Sequence, residues 1–166
     1  EIRIQNITHS ALERAARFEL GTPAFTLIGK ADRLDLSSDG TLAVYDYKTG
    51  KPPSPAQREK FDQQLPLTAM LAESGAFKDM APLPVSQVAY IGLGADSGQK
   101  SLKEEEFVSG TTLSHLRELI AAYLTPDKGF TSRRAVEKDS YGGDYDHLAR
   151  HGEWSATDSA VAEVLT

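Results

Sequence analysis

The stretch "AVYDYKTGK", residues 43–51, places an acid and a base inside a segment with the composition of a β-strand. Its valine and two tyrosines are residue types that favour strands. Residues two apart in a strand point to the same face of the sheet, so we expect Asp46 and Lys48 to project side by side. A carboxylate and an ammonium group therefore lie together directly after an apolar run, which suggests a chemical purpose.

The residues before this stretch predict how it pairs with the preceding strand. The sequence SDG at 38–40 suits a three-residue hairpin loop with the glycine in the left-handed conformation. Ser37 and Thr41 then flank the loop as a pair. Paired residues in an antiparallel hairpin keep a constant index sum, which places Asp32 directly opposite Asp46. A turn shifted by one residue would break this register.

The predicted hairpin face carries leucines and a valine at one end and two acids with a lysine at the other. Like charges opposite each other in a sheet are destabilising, and partly buried carboxylates need compensation. A divalent cation supplies it, because Mg²⁺ binds one or two carboxylates together with waters and phosphate oxygens. Lys48 would then position or deprotonate a water, or stabilise charge on a phosphate. The alternative is that Asp46 and Lys48 form an ordinary solvated surface pair.

The composition restricts the class of protein. The chain has 166 residues, 40% of them hydrophobic and 25% charged, which is typical of a soluble globular domain. It contains no cysteine, so it cannot form disulfides, thiolate zinc sites or an iron–sulfur cluster, and we expect a cytoplasmic protein. No apolar run is long enough for a membrane span. The net charge of −6 argues against strong unaided DNA binding.

The chain begins at Glu1 without a methionine or a signal peptide, and we expect it to be a single domain, residues 1–166, taken from the C-terminus of a longer protein. Sequence patterns predict an α/β fold with a mixed β-sheet flanked by helices. The predicted elements are a helix at 7–14, strands at 16–20, 24–36 and 41–49, a helix from 54 towards 75 that Pro66 kinks or restarts, a strand at 85–94, and helices at 111–124 and 156–165.

Three motifs occur in order along this chain. They are G-x-x-D-R-x-D at 29–35, D-Y-K-T-G at 46–50 and Q-L-x-L at 64–67. Together they resemble the RecB-type branch of the PD-(D/E)XK nucleases. The segments KPPSPAQ at 51–57, QQLPLTAMLAESGAF at 63–77 and GGDYDHLARHGEWS at 142–155 most resemble the C-terminal nuclease domain of AddB-type helicase–nuclease subunits. The similarity covers most of the chain from about Arg17. It implies a restriction-endonuclease-like fold and a metal-dependent deoxyribonuclease.

The resemblance also implies roles for individual residues. Asp32 and Asp46 match the metal-binding acids, and Lys48 matches the catalytic lysine. The backbone carbonyl of Tyr47 matches a further metal ligand. Gln64 matches the glutamine on the helix that covers such sites. The implied cofactor is Mg²⁺, with Mn²⁺ as a substitute, and no iron–sulfur cluster is expected.

An upstream acid often completes sites of this kind, and Glu13 is the candidate here, with Glu19 as the second choice. RecB-type domains also tend to have an upstream metal-binding histidine. His9 is the only histidine upstream, but it lies too close to the hairpin to match well.

Other charged and apolar residues have simpler interpretations. In the predicted register, Arg33 points to the opposite face from Asp32, where we expect a structural ion pair rather than a DNA contact. The cluster of Arg133, Arg134 and Lys138 is either a solvated loop or a phosphate contact. The leucine-rich face of the helix at 111–124 is expected to lie in the core.

The leading hypothesis is an Mg²⁺-dependent exonuclease domain of a bacterial helicase–nuclease that processes double-strand breaks. Its expected partners are single-stranded DNA ends, an AddA-type helicase subunit and the remainder of its own longer chain, with no membrane. One alternative is a non-catalytic domain for DNA-end or partner docking that keeps the nuclease fold. Another is an unrelated metal-binding α/β protein. Metal-dependent cleavage distinguishes these three.

Overall fold

A computed structural model describes residues 7–94, 98–125, 128, 153, 158 and 159. Five strands form one sheet in the order β1-β2-β3-β4-β5, in which β3 and β4 are parallel and the other neighbours are antiparallel. The elements are β1 (Ile7–Glu19), β2 (Thr26–Ser37), β3 (Leu42–Lys48), α1 (Pro55–Lys60), α2 (Gln64–Glu73), β4 (Val85–Gly92), β5 (Gly98–Ser101), a short 3₁₀ helix (Glu104–Glu106) and α3 (Ser109–Tyr123). The predicted mixed sheet with flanking helices is confirmed.

The hairpin between β2 and β3 has the predicted register. Its ladder runs from Leu36 opposite Leu42 to Arg33 opposite Tyr45, with a constant index sum throughout. Gly40 has the expected positive φ of 82°. The next pair beyond the end of this ladder would be Asp32 and Asp46, so the two strands separate just where the acids lie.

The first element is a correction to the sequence prediction. Residues 7–14 were expected to form a helix, but they are the first half of β1 and pair with β2 along almost its whole length. The segment "ALER" contains good helix formers, so its local propensity favours a helix. Tertiary pairing overrides this preference, because the edge of β2 would otherwise leave its backbone groups without partners. The strand prediction for 16–20 is confirmed through Glu19.

The predicted helix from 54 towards 75 is two helices. Ser54 caps α1 with the expected capping box, in which its side chain and that of Gln57 accept each other's backbone N–H groups. α1 ends at Lys60 with Phe61 as its C-cap, and α2 begins at Gln64. Pro66 lies in the first turn of α2. Backbone N–H groups in a first turn have no acceptor within the helix, so the proline costs no helical hydrogen bond there. The sequence predicted that Pro66 either kinks the helix or restarts it, and the structure shows a new helix.

The core lies between the sheet and α2. Leu65, Ala69 and Met70 of α2 are at most 1% exposed, as are Val44 and Val88 of the facing strands. The predicted leucine face of α3 is buried only in part. Leu116 is buried, and Leu113 and Ile120 pack against the core, but Leu119 is 40% exposed.

Contacts group the chain into two compact units, Glu1–Ile120 and Ala121–Thr166. Most of the second unit lies outside the described residues, and so do most of the predicted helix at 156–165 and all of the basic cluster at 133–138. The prediction of a single domain over 1–166 stays a prediction. Within the described part of the chain, the helices are too short or too polar to span a membrane.

Asp35 forms the structural ion pair that was expected on the far face of the hairpin. Its side chain is only 2% exposed. Arg33 donates to both of its oxygens, from Nε at 2.9 Å and from a terminal nitrogen at 2.7 Å. Ser10 on β1 adds a third hydrogen bond at 2.7 Å. This pairing joins β1 to β2, and it confirms the prediction for Arg33.

We predict that Asp35→Ala destabilises the fold by about 3 kcal/mol, because it leaves the partly buried Arg33 without its partner. Urea denaturation measures this loss as a lower transition midpoint. Glu19→Ala is the matched control, since it breaks the exposed pair between Arg17 and Glu19 on the same strand and should leave the midpoint unchanged. Equal losses in the two variants would contradict the structural role of Asp35.

Candidate active site

Three predicted site residues form one cluster at the carboxyl end of β3. Gln64 is the first residue of α2, and its Nε2 donates to Oδ1 of Asp46 at 2.6 Å. Nζ of Lys48 donates to Oε1 of Gln64 at 3.2 Å. The same ammonium group lies 2.9 Å from Oδ2 of Asp46. We call this arrangement the Asp46–Lys48–Gln64 cluster. Its geometry depends on α2 restarting directly above the end of β3.

The second oxygen of Asp46 is a buried acceptor without a hydrogen bond. The side chain of Asp46 is 6% exposed, and within the described part of the chain Oδ2 is a buried oxygen without a hydrogen-bond donor of its own. Its described partner is the ammonium group of Lys48, which forms an ion pair with it at 2.9 Å. Buried polar atoms are nearly always satisfied, so an exception requires an explanation. A carboxylate oxygen directed into a site of this kind suits a hard divalent cation.

The electrostatics of Asp46 agree with that interpretation. Burial raises the pKa of its carboxyl group, the nearby Lys48 lowers it, and the negative charges of Asp32 and Asp62 raise it further, so that the net shift is upward. The ionised form of Asp46 is therefore undercompensated by the protein alone. A bound cation would supply the missing positive charge.

Asp32 is held at the point where β2 and β3 separate. Its Oδ2 accepts a hydrogen bond from the backbone N–H of Tyr47 at 3.0 Å. The backbone ladder between β2 and β3 has ended at this point, so the Asp32 carboxylate takes the place of a backbone carbonyl as the acceptor for this N–H. The bond holds Asp32 beside the strand that carries Asp46, as the register predicted. The role of the Tyr47 carbonyl as a metal ligand stays a prediction.

The structure does not bring the upstream candidates into the cluster. Glu13 lies between the β1 residues that pair with Ala31 and Arg33, but it has a positive φ of 53° and its exposed carboxylate forms an ion pair with Lys30. Across the described residues, no group of three or more acidic, histidine or cysteine side chains could hold a metal. The assignment of Glu13 as a ligand stays a prediction that its ion pair with Lys30 does not support.

Glu19 and His9, the two remaining upstream candidates for metal ligands, have other contacts. Glu19 pairs with Arg17 and accepts a hydrogen bond from Thr26 near the end of β1. His9 pairs with Leu36 near the turn of the hairpin and lines a cavity of about 300 Å³.

Sequence reasoning missed two residues that contact the cluster. Tyr90 on β4 is completely buried, and its hydroxyl donates to Oδ1 of Asp62 at 3.1 Å. The ring centre of Tyr90 lies 5.5 Å from Nζ of Lys48. Asp62 also accepts the backbone N–H of Gln64 at 3.3 Å. An acid two residues before a helix is a sequence signal for a cap, and it was available for Asp62.

The similarity to known proteins agrees with this geometry. Residues 2–141 match the model of the PD-(D/E)XK nuclease superfamily, which is most of the chain. The chain belongs to this superfamily. The Asp46-Tyr47-Lys48 stretch lies within the matched residues and has the D-x-K pattern from which the superfamily takes its name. A search of curated proteins found no match to the chain.

Members of the PD-(D/E)XK nuclease superfamily typically use divalent metals, and the residues of this chain fit such an ion. Asp46 offers an unsatisfied buried oxygen, and Asp32 engages only one of its two oxygens in a described hydrogen bond. Both are hard oxygen ligands of the kind that Mg²⁺ and Mn²⁺ prefer.

We predict that Mn²⁺ raises the melting temperature of the chain, because an ion that binds only the folded state stabilises it by mass action. Asp46→Asn should lose most of this increase, since the amide cannot supply an anionic oxygen. Differential scanning fluorimetry over a series of Mn²⁺ concentrations measures the effect. Glu118→Gln, which removes an exposed acid on α3, serves as the control and should respond as wild type does. Identical responses from all three proteins would show that Asp46 is not a ligand.

Proposed function

We propose that this chain is a divalent-metal-dependent deoxyribonuclease that hydrolyses phosphodiester bonds. The observation that carries the proposal is the buried, unsatisfied Oδ2 of Asp46, which lies 2.9 Å from the ammonium group of Lys48 in a D-x-K stretch. A purely structural carboxylate would have its oxygens satisfied by the protein. Membership of the nuclease superfamily supports the same reaction class.

Asp46 and Asp32 would hold the ion in this site. When bound, Mg²⁺ would supply Lewis-acid polarisation of the scissile phosphate. Lys48 would bring a positive charge to the same place, where its ammonium group would stabilise charge on the phosphate and orient the attacking water; only its neutral amine could instead accept a proton from that water. Because Lys48 is 28% exposed, it is accessible to a substrate without being free in solution.

Gln64 fixes the relation between the acid and the base. Its amide NH₂ donates to Asp46 while its carbonyl oxygen accepts from Lys48. A single side chain therefore orients both groups from α2. Positioning of this kind matters because errors of about 1 Å can cost about 10²-fold in rate.

We further propose that the chain is the exonuclease domain of a bacterial helicase–nuclease complex that acts in the cytoplasm on double-strand breaks. The support is the order of the three RecB-type motifs that begin at Gly29, Asp46 and Gln64. The proposed partners are single-stranded DNA ends, an AddA-type helicase subunit and the rest of an AddB-type chain. A net charge of −6 supports a nuclease that depends on a partner to hold DNA.

We predict that Lys48→Ala abolishes most cleavage and leaves Mn²⁺ binding intact or slightly tighter. The lysine supplies general acid–base or electrostatic help, which is worth about 10²–10⁴-fold, and its positive charge opposes a nearby cation. Lys48→Arg should not restore activity, because the guanidinium is larger and stays protonated. Calorimetric titration with Mn²⁺ and cleavage of labelled single-stranded DNA measure the two effects.

The control for this experiment is Lys30→Ala, which removes an exposed lysine that pairs with Glu13. It should cleave as wild type does. If Lys48→Ala also cleaves at the wild-type rate, the lysine is only a counter-charge for Asp46. If wild type binds Mn²⁺ but cleaves no DNA, alone or with its helicase partner, the non-catalytic docking domain is the better interpretation.

We predict that the isolated chain binds single-stranded DNA weakly at physiological salt. A chain with a net charge of −6 releases few counterions on binding, and counterion release supplies most non-specific affinity. Fluorescence anisotropy with a labelled oligonucleotide measures the dissociation constant. Nanomolar binding would reveal a basic groove and remove the need for a DNA-holding partner.

A further inference from the structure

Tyr90 contacts two components of the candidate site from the sheet, the ammonium group of Lys48 and Asp62 before α2. It lies on β4 opposite Asp46 in the parallel ladder, and none of its surface is exposed. Its ring centre lies 5.5 Å from the ammonium nitrogen of Lys48, which is within the range of a cation–π contact. Its hydroxyl donates to Asp62 at 3.1 Å. The side chain of Tyr90 therefore contacts both Lys48 and the residue that precedes α2 by two positions, Asp62.

The ring completes the surroundings of Lys48. The ammonium group has Asp46 at 2.9 Å and Gln64 at 3.2 Å, and the aromatic ring lies further away. The two polar contacts alone leave a flexible four-carbon side chain with several possible conformations. A ring face of negative potential favours the conformations that keep the ammonium group over β4.

The hydroxyl acts through Asp62. Oδ1 of Asp62 accepts both the Tyr90 hydroxyl and the backbone N–H of Gln64, at 3.1 Å and 3.3 Å. This N–H belongs to the first turn of α2, where helical N–H groups have no helical acceptors. Burial and the charge of Asp62 raise the pKa of Tyr90, so its hydroxyl keeps its proton and remains a donor. The sheet is thereby tied to the residue that orients Asp46.

We propose that Tyr90 is a positioning residue for phosphodiester cleavage, whose ring places the ammonium group of Lys48 and whose hydroxyl, through Asp62, places Gln64. This inference rests on the proposed nuclease function. If Tyr90 were only a core residue, its ring and hydroxyl would affect stability but not the turnover of folded protein.

The test is steady-state cleavage of labelled single-stranded DNA by the full chain, at saturating Mn²⁺, in Tyr90→Phe and Tyr90→Leu. Tyr90→Leu should lower kcat at least tenfold and leave KM within about twofold, because the substrate still meets the same surface. Tyr90→Phe keeps the ring and should retain more activity than Tyr90→Leu. Adding Tyr90→Leu to Lys48→Ala should cost less than Tyr90→Leu costs in wild type, since the ring then has no ammonium group to place and only the effect through Asp62 remains.

Tyr45 provides a matched control on the opposite face of the same sheet. Its ring centre lies 5.4 Å from Cζ of Arg33, and its hydroxyl donates to Gln87 at 3.4 Å. Tyr45→Phe and Tyr45→Leu repeat the same chemical changes away from the site. Both should leave kcat unchanged in the folded protein. An equal loss in the Tyr45 variants would indicate general damage to the sheet and overturn the proposal.

A second measurement does not require activity. The ε-methylene protons of Lys48 should show an upfield ring-current shift by NMR that Tyr90→Phe keeps and Tyr90→Leu loses. If Tyr90→Leu does not fold, Asp62→Ala and Tyr90→Phe replace it, and both should lower kcat by similar factors without adding in the double variant.

The possible failures are distinguishable. If wild type cleaves DNA and a folded Tyr90→Leu variant keeps its kcat, the positioning role is wrong while the nuclease function stands. If wild type cleaves no DNA, alone or with its helicase partner, the nuclease function fails, and with it the role of Tyr90 in that reaction. An absent ring-current shift in wild type would also overturn the positioning of Lys48 by the ring.

Discussion

A buried carboxylate at the end of β3 is the constraint on which the site depends. Asp46 is only 6% exposed, and its ionised form is costly in such surroundings unless charges or hydrogen bonds compensate. Gln64 satisfies one oxygen, and Lys48 supplies an opposite charge. The hydrogen bond from Gln64 requires α2 to begin directly above this strand, whereas Lys48 lies on β3 itself. The break between α1 and α2 therefore serves the site as well as the packing, because one continuous helix would give Gln64 a different position.

The separation of β2 from β3 creates room for this arrangement. The ladder of the hairpin ends at Arg33 and Tyr45, one pair before the acids. Asp32 then satisfies the backbone N–H of Tyr47 with its side chain instead of a backbone carbonyl. This bond keeps the end of β3 in place while the space between the strands opens. The same carboxylate that stabilises the opened strands also contributes negative charge to the site.

The sequence predicts the parts of this structure that depend on local signals. The turn at Ser38-Asp39-Gly40 determines the hairpin register, and the cap at Ser54 determines the start of α1. The first half of β1 could not be recognised locally, because its residues favour a helix and only the exposed edge of β2 makes them a strand. Tyr90 was missed for a related reason. Its position opposite Asp46 depends on the parallel register of β3 and β4. A long helical connection joins these two strands, and no short sequence motif determines their register.

Two buried acids on neighbouring strands show how structure and function separate in this fold. Asp35 faces one side of the sheet, where Arg33 and Ser10 satisfy both of its oxygens. Asp46 faces the other side, where one oxygen remains without a donor despite the nearby lysine. The two sites have similar components, each with a buried acid, a cation and a tyrosine ring. Because both carboxylate oxygens of Asp35 have hydrogen-bond donors, the first site stabilises the pairing of β1 with β2. The incomplete compensation of Asp46 is what supports the proposed binding of an ion and a phosphate in the second site, because both sites contain charge and only this one leaves an acid undercompensated.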